Sequence, residues 1–179
     1  MIWFTADLHL NDPNTLTRRG GVPTDDEIVA LWNSVVRRGD TVYCLGDFAL
    51  SWGPRDRGII ETRVAQLNGT KLLVAGNHDR KEVIRAPGWA WVGDYREINL
   101  KREDHIQKVV LMHYPLRTWH GSHRGAWHLH GHCHGSLTNT PRNMYDVGVD
   151  NNGFLPVSAD QLTEIMLIKS KQYETHPES

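Results

Sequence analysis

The sequence predicts an α/β protein: two packed mixed β-sheets flanked by helices, an αββα sandwich. Three observations lead there. Through the first half, short apolar runs alternate with amphipathic helical stretches, the pattern of a parallel sheet with crossover helices. After residue 89 the pattern turns to strands, with little helix before the C-terminal segment. Side chains suited to cations stand at the ends of these strands, so both sheets are expected to share one edge of loops.

Met1 to Ala6 is apolar and β-prone, a buried strand that ends in Asp7, Leu8 and His9. Asn11 to Asn14 reads as a turn, and the loop runs on through Arg18, Arg19, Gly20 and Gly21. Thr24 to Glu27 is a capping box, followed by Ile28, Leu31, Trp32 and Val35 at helical spacing. Arg37, Arg38 and Gly39 are expected to close that helix, as the helix dipole and a left-handed cap favour. Thr41 to Leu45 is the next strand and runs into Gly46-Asp47. Ser51 to Arg57 reads as a loop and Ile59 to Leu67 as a second amphipathic helix, closed by the Asn68-Gly69 turn. Lys71 to Ala75 is a third buried strand, ending in Gly76-Asn77-His78-Asp79. Lys81 to Arg85 fits a short helix stopped by Pro87-Gly88.

Tyr95 to Leu100 and Ile106 to Met112, separated by the charged stretch Lys101 to His105, read as an antiparallel hairpin whose second strand ends in His113-Tyr114-Pro115. A loop carrying Trp119, His120, His123 and Arg124 leads to a strand through Trp127 to His130. Met144 to Val149 reads as the last long strand, and Ser158 to Gln161 as the capping box of a C-terminal helix. These elements form one expected domain over residues 1–169, with a polar, frayed tail over 170–179.

Composition excludes several classes. The chain has 179 residues, 39% hydrophobic and 23% charged, which fits a single folded domain rather than a disordered chain. The formal net charge of -1 gives no global attraction to nucleic acid or membrane. Two cysteines, Cys44 and Cys133, do not make a disulfide scaffold, and with no secretory leader they point to a reducing cytoplasm. No apolar stretch approaches the roughly 20 residues needed to span a bilayer. No motif points to an oligomeric state. Histidine is the outlier, at 11 residues.

Leu129 to Gly135 packs three histidines and two glycines into seven residues. In an extended backbone His132 and His134 would aim at one point, with Cys133 facing the other way, and Asp7 and His9 would share a face likewise. Neutral imidazole paired with carboxylate and amide oxygen suits a divalent transition metal. The first three strands end in Asp7 and His9, in Asp47, and in Asn77 and His78; His113 ends a later strand, and His132 and His134 follow another. Two ions roughly 3.5–4 Å apart are the standard device for in-line displacement at phosphorus.

Asp7-Leu8-His9, Gly46-Asp47, Gly76-Asn77-His78-Asp79, His113 and Gly131-His132-Cys133-His134 resemble, in order, the five signature blocks of the calcineurin-like metallophosphoesterases. The resemblance implies that family's sandwich fold and a dinuclear centre. Asp7, His9 and His134 would hold one ion, and Asn77, His113 and His132 the other. Asp47 would bridge them together with a water or hydroxide that attacks phosphorus in line. His78 would protonate the leaving oxygen; Asp79 would hold the His78 ring, or else cap or form the turn after Asn77. The implied cofactors are two divalent ions, manganese first, with Fe, Zn, Co or Ni as alternatives.

Arg18, Arg117, His120, His123 and Arg124 are the loop residues suited to gripping a phosphate, with Tyr114 and Trp119 able to stack on a base. Trp3 and Trp32 read as core filler, His130 as pointing away or supporting the ligand pair, and Asp146 and Asp150 as sheet-edge or loop residues. The expected function is hydrolysis of a small phosphate ester, a phosphodiesterase on nucleotides or related molecules. The alternatives are a phosphomonoesterase or nuclease of the same superfamily, or an inert metal-binding scaffold. Duplex nucleic acid is disfavoured, because no long basic stripe is present.

Overall fold

The computed structural model describes residues 1–102 and 105–175. Positions 103 and 104 of the charged hairpin stretch, and 176–179 of the expected tail, lie outside the described residues.

Nine strands form two sheets. In the first, β1 (Ile2–Thr5), β2 (Thr41–Cys44), β3 (Thr70–Val74) and β4 (Trp89–Gly93) are parallel, and β9 (Val157–Ser158) runs antiparallel to β1, in the order β4-β3-β2-β1-β9. In the second, β5 (Tyr95–Lys101) and β6 (Ile106–Met112) make the antiparallel hairpin, and β7 (Trp127–His130) and β8 (Met144–Asp146) add parallel to β6. The helices are α1 (Pro13–Arg18), α2 (Asp25–Val35), α3 (Arg57–Gln66), α4 (Lys81–Ile84) and α5 (Ala159–Thr175).

Strand alternation sorts the core into layers. Trp3, Val42, Cys44 and Leu73 face the helices, packing with Ile28 and Trp32 of α2 and Ile60 and Val64 of α3. Their neighbours Phe4, Tyr43, Leu45, Leu72 and Val74 face the second sheet and meet Leu100, Val109, Leu111 and Leu129. A parallel sheet covered on both faces reads as near-continuous apolar runs, as the first three strands do apart from Thr5, Thr41, Thr70 and Lys71. Leu162 and Met166 of α5 join the layer between the sheets.

Register sets the site. Ile2 pairs with Thr41 and Thr41 with Thr70, so β1, β2 and β3 leave the sheet at one level. Leu111 pairs with Leu129 and Leu129 with Tyr145, so β6, β7 and β8 do the same. A bridge between Ala6 and Gly148 ties the two ends together.

Several elements differ from the sequence reading. Residues 13–18 are helical: Asp12 accepts from the backbone N–H of Asn14 and Thr15, and Pro13 occupies the first turn, so the expected turn residues serve as a helix start. Helix α2 carries the Thr24–Glu27 capping box but stops at Val35, with Val36 extended. Asp40, rather than a left-handed Gly39, takes the Arg37 N–H, along with the N-terminal amine and the Trp3 indole. The edge strands β4 and β9 are additions to the expected elements: β9 is two residues long, and β4 follows directly on the Pro87-Gly88 break with no alternation of apolar and polar residues. Strand β8 ends at Asp146 because a 3-10 turn begins at Val149. Helix α5 starts on the Ser158–Gln161 capping box and runs through Thr175, so residues 170–175 extend a helix rather than fray.

Trp32 is 1% exposed, and its indole N–H donates to the Asn68 carbonyl at 3.0 Å. Trp32→Ala is expected to cost about 3–5 kcal/mol by emptying the α2–sheet contact. The check is a fall in denaturant midpoint with an unchanged m-value.

Candidate metal centre

Asp7, His9, Asp47, His132 and His134 all have positive φ, between 47° and 69°. Non-glycine residues held there cost of order 1–3 kcal/mol each, and such strain persists where the surroundings over-determine it. The extended-strand argument for their aim therefore does not hold. Tight left-handed turns orient these side chains, and His132 and His134 diverge to different groups.

Asp7, His9 and His134 form one group and Asp47, His113 and His132 a second, the donor atoms of each lying within 4.8 Å of one another. Asn77 joins the second: its Oδ1 is 2.9 Å from His132 Nδ1 and 3.0 Å from His113 Nε2. Asp47 stands between the groups, with Oδ2 3.4 Å from His113 Nε2 and 3.6 Å from His9 Nε2. Bare backbone permits this closeness. A Cβ on Gly46 would lie 2.7 Å from the Gly76 Cα, and one on Gly131 would lie 2.6 Å from Asp7 Oδ2.

The donor set fits cations. His9 is 4% exposed, yet neither ring nitrogen makes a hydrogen bond. Buried polar atoms in native proteins are almost always partnered; Nδ1 has Asp12 Oδ2 at 3.4 Å, and Nε2, unbonded beside Asp47, fits an ion's place. Burial lowers the His9 pKa to about 4, which keeps the ring in its neutral, ligating form. Burial also raises Asp7 to about 7, against the pull of His134 and the His132 N–H, so this carboxyl lacks a compensating charge. Burial works against the Asp47 charge too, but the bond and charge of His113 prevail and its pKa falls below the ordinary value. His113 is raised in turn, Asp47 outweighing the burial. Its Nδ1–H donates to the Leu45 carbonyl at 2.8 Å, which leaves Nε2 facing the group. His132 is lowered, by burial first and then by His113.

His78 lies on the open side. Its backbone N–H donates to Asp47 Oδ1 at 2.8 Å, and its ring centroid is 5.2 Å from that of His9. Asp79 does not hold the His78 ring: its two oxygens accept from the backbone N–H of Phe48 and Gly76, both at 2.9 Å. It is a buried clamp between the β2 and β3 loops, the turn-forming alternative.

The loop residues expected on substrate fall in different places. Arg18 is exposed and bonds Thr15 Oγ1. Arg117 is exposed in the loop after Tyr114. His120 pairs with Glu97 of β5 at 2.9 Å. Arg124 lies beside Gln107 and Lys108 at the start of β6, the end opposite His113, because the turn carrying it leads into β7 from that side. Trp119 is buried against Val110, Ala126 and Met144 and cannot stack on a base. Tyr114 is half-exposed, with its ring 4.8 Å from that of His132.

Two residues were missed. Asp150 accepts from His134 Nδ1–H at 2.6 Å, and Arg19 grips the same carboxylate. His134 is raised by the Asp150 bond first, and Asp150 is held far below the carboxylate range because His134 and Arg19 overcome its burial. The one available signal was generic: a ligating histidine needs a partner for its other nitrogen.

Metal binding to ligands from strands this far apart should stabilise the fold. Manganese at 100 times its Kd is expected to add about 2.7 kcal/mol per site, which for a chain of this size raises Tm by roughly 5–10 °C. A thermal scan with and without chelator checks this; an unmoved Tm would remove the site.

The fold brings two candidate cation-holding groups together at the strand ends of a double-layered sheet. A model of the calcineurin-like phosphoesterase family matches residues 1–154, and the chain belongs to that family. The Gene 66 protein of Mycobacterium phage D29 is 29% identical over 177 residues, covering 83% of this chain and 87% of its own length. The uncharacterized protein MJ1445 of Methanocaldococcus jannaschii is 28% identical over 178 residues, covering 92% and 90%. Among solved structures, the protein of unknown function AQ665 from Aquifex aeolicus superposes with a TM-score of 0.70 at 21% identity, over 92% of this chain and 98% of its own. That likeness shows the fold.

Proposed function

We propose that this protein is a metal-dependent hydrolase of phosphate esters, a phosphodiesterase acting on nucleotides or related small molecules. The observation that carries the reading is Asp47 Oδ2 lying between the two ligand groups, beside the unbonded Nε2 of His9. Divalent cations bound there supply Lewis acidity toward phosphoryl oxygens and acidify coordinated water. The donors are nitrogen and oxygen, with no thiolate in either group, a set suited to manganese and also to Fe, Zn, Co or Ni. His78 offers an exposed imidazole near His9, and its role in this reading is to hand a proton to the leaving oxygen.

Charge favours the diester. Arg19 is the arginine that touches the ligand cluster, and its guanidinium is committed to Asp150 and to the Asp7 and Leu8 carbonyls. A singly charged diester asks for fewer free cations than a dianionic monoester, and Arg19, committed in this way, supplies none. No helix among the described residues is long and apolar enough to cross a membrane. The proposed cytoplasmic setting rests on the two free cysteines.

The test is hydrolysis of bis(p-nitrophenyl) phosphate and p-nitrophenyl phosphate by the purified chain with manganese. Turnover of the diester is expected. Turnover of the monoester alone removes the diester reading, and turnover of neither favours an inert scaffold.

A further inference from the structure

We infer that Asp150 and Arg19 are positioning residues that fix the His134 ring, and with it the Asp7–His9–His134 cation site. This deepens the dinuclear reading and rests on it.

The geometry is a clamp made of three distant segments. Arg19 follows α1 and is 8% exposed. Its Nε donates to Asp150 Oδ1 and its Nη2 to Asp150 Oδ2, both at 2.8 Å, the two-pronged arrangement guanidinium makes with carboxylate. The same guanidinium donates to the Leu8 carbonyl at 3.0 Å and the Asp7 carbonyl at 2.8 Å, inside the turn that carries Asp7 and His9. Phe154 packs beneath it, 5.3 Å from ring centroid to Cζ. Asp150 Oδ2, held in this way, accepts from His134 Nδ1–H.

Two consequences follow. Asp150 already accepts at both oxygens, so it acts as an orienter and not as a ligand. His134 has Nδ1 occupied, so Nε2 is the nitrogen that faces Asp7 and His9. The ring is 39% exposed and would otherwise be free to turn, whereas buried His113 is oriented by the backbone carbonyl of Leu45. The clamp also explains why α1 belongs to the site: its N-cap Asp12 lies 3.4 Å from His9 Nδ1, and the residue after its last turn holds Asp150. Supporting partners of this kind change metal affinity by about 10–100-fold when removed.

The experiment uses the full chain and manganese titration by calorimetry, on wild type, Asp150→Ala, Asp150→Asn, Arg19→Ala, His134→Ala and the Asp150→Ala/His134→Ala double variant. One class of site should weaken by about 10–100-fold in Asp150→Ala while the other stays as in wild type. A residue acting through His134 adds nothing once His134 is gone, so the double variant should match His134→Ala. In the metal-free chain, imidazole nitrogen NMR should show the Nδ1–H tautomer of His134 in wild type and a mixture in Asp150→Ala. If the alanine variant does not fold, the isosteric Asp150→Asn and Arg19→Ala carry the same comparison with smaller losses. Equal weakening of both sites, additive losses, or an unchanged His134 tautomer would overturn the assignment while leaving a two-metal wild type intact. A wild type that takes up no manganese overturns it together with the reading beneath it.

Discussion

Asp47→Asn is expected to reduce manganese uptake from two equivalents to at most one and to lower diester turnover by about 10³-fold or more, the upper range for loss of one preorganised charge-stabilising group. The substitution isolates charge from shape. An asparagine oxygen still accepts the His78 N–H that Asp47 Oδ1 takes at 2.8 Å, so the β3 loop keeps its anchor. What goes is the negative charge between His9 and His113, 3.6 and 3.4 Å from Oδ2. Cations drawn into one small cavity repel each other, and a shared carboxylate is what offsets that repulsion. The measurements are elemental analysis of a manganese-saturated preparation and steady-state hydrolysis. Two retained equivalents with turnover within tenfold of wild type would show that Asp47 does not bridge.

The parts of this architecture legible in sequence are those fixed by local chemistry. Strands β1, β2 and β3 are mostly apolar because both faces are covered. The Thr24–Glu27 and Ser158–Gln161 boxes are three-residue signals and both form. The residues of the two candidate groups stand out in sequence because strand ends in such sheets carry sites. How they aim was not: the expected pleat gives way to left-handed turns at Asp7, His9, Asp47, His132 and His134, and no single residue type marks that conformation.

Long-range pairing was beyond reach for a different reason. Arg19 and Asp150 are 131 positions apart, and the adjacent Arg18 has the same composition cue. Only the helical phase of α1 separates them: Thr15 is buried, and Arg19, four residues on, lies on its face. A segment read as loop has no phase, so the choice could not be made. Arg124 failed similarly, since loop composition does not say at which end of a strand the loop lies.

His78→Ala should separate proton donation from metal binding. The variant is expected to keep two equivalents of manganese, because His78 belongs to neither ligand group and its backbone N–H, not its ring, bonds Asp47. Turnover should fall by about 10²–10⁴-fold on diesters with alcohol leaving groups, the scale of general acid catalysis. The loss should be far smaller on bis(p-nitrophenyl) phosphate, because p-nitrophenolate departs without a proton while an alkoxide does not. The exposed ring, on the same side as His9, is free to meet a leaving oxygen, and alanine there removes only the ring. In the pH profile, the fall in rate at alkaline pH that a required acid imposes should flatten in the variant on alkyl esters. Equal losses for both leaving groups would assign the imidazole to holding the phosphoryl group rather than to protonation. Loss of a metal equivalent would make it a ligand, and no loss at all would leave it outside the chemistry.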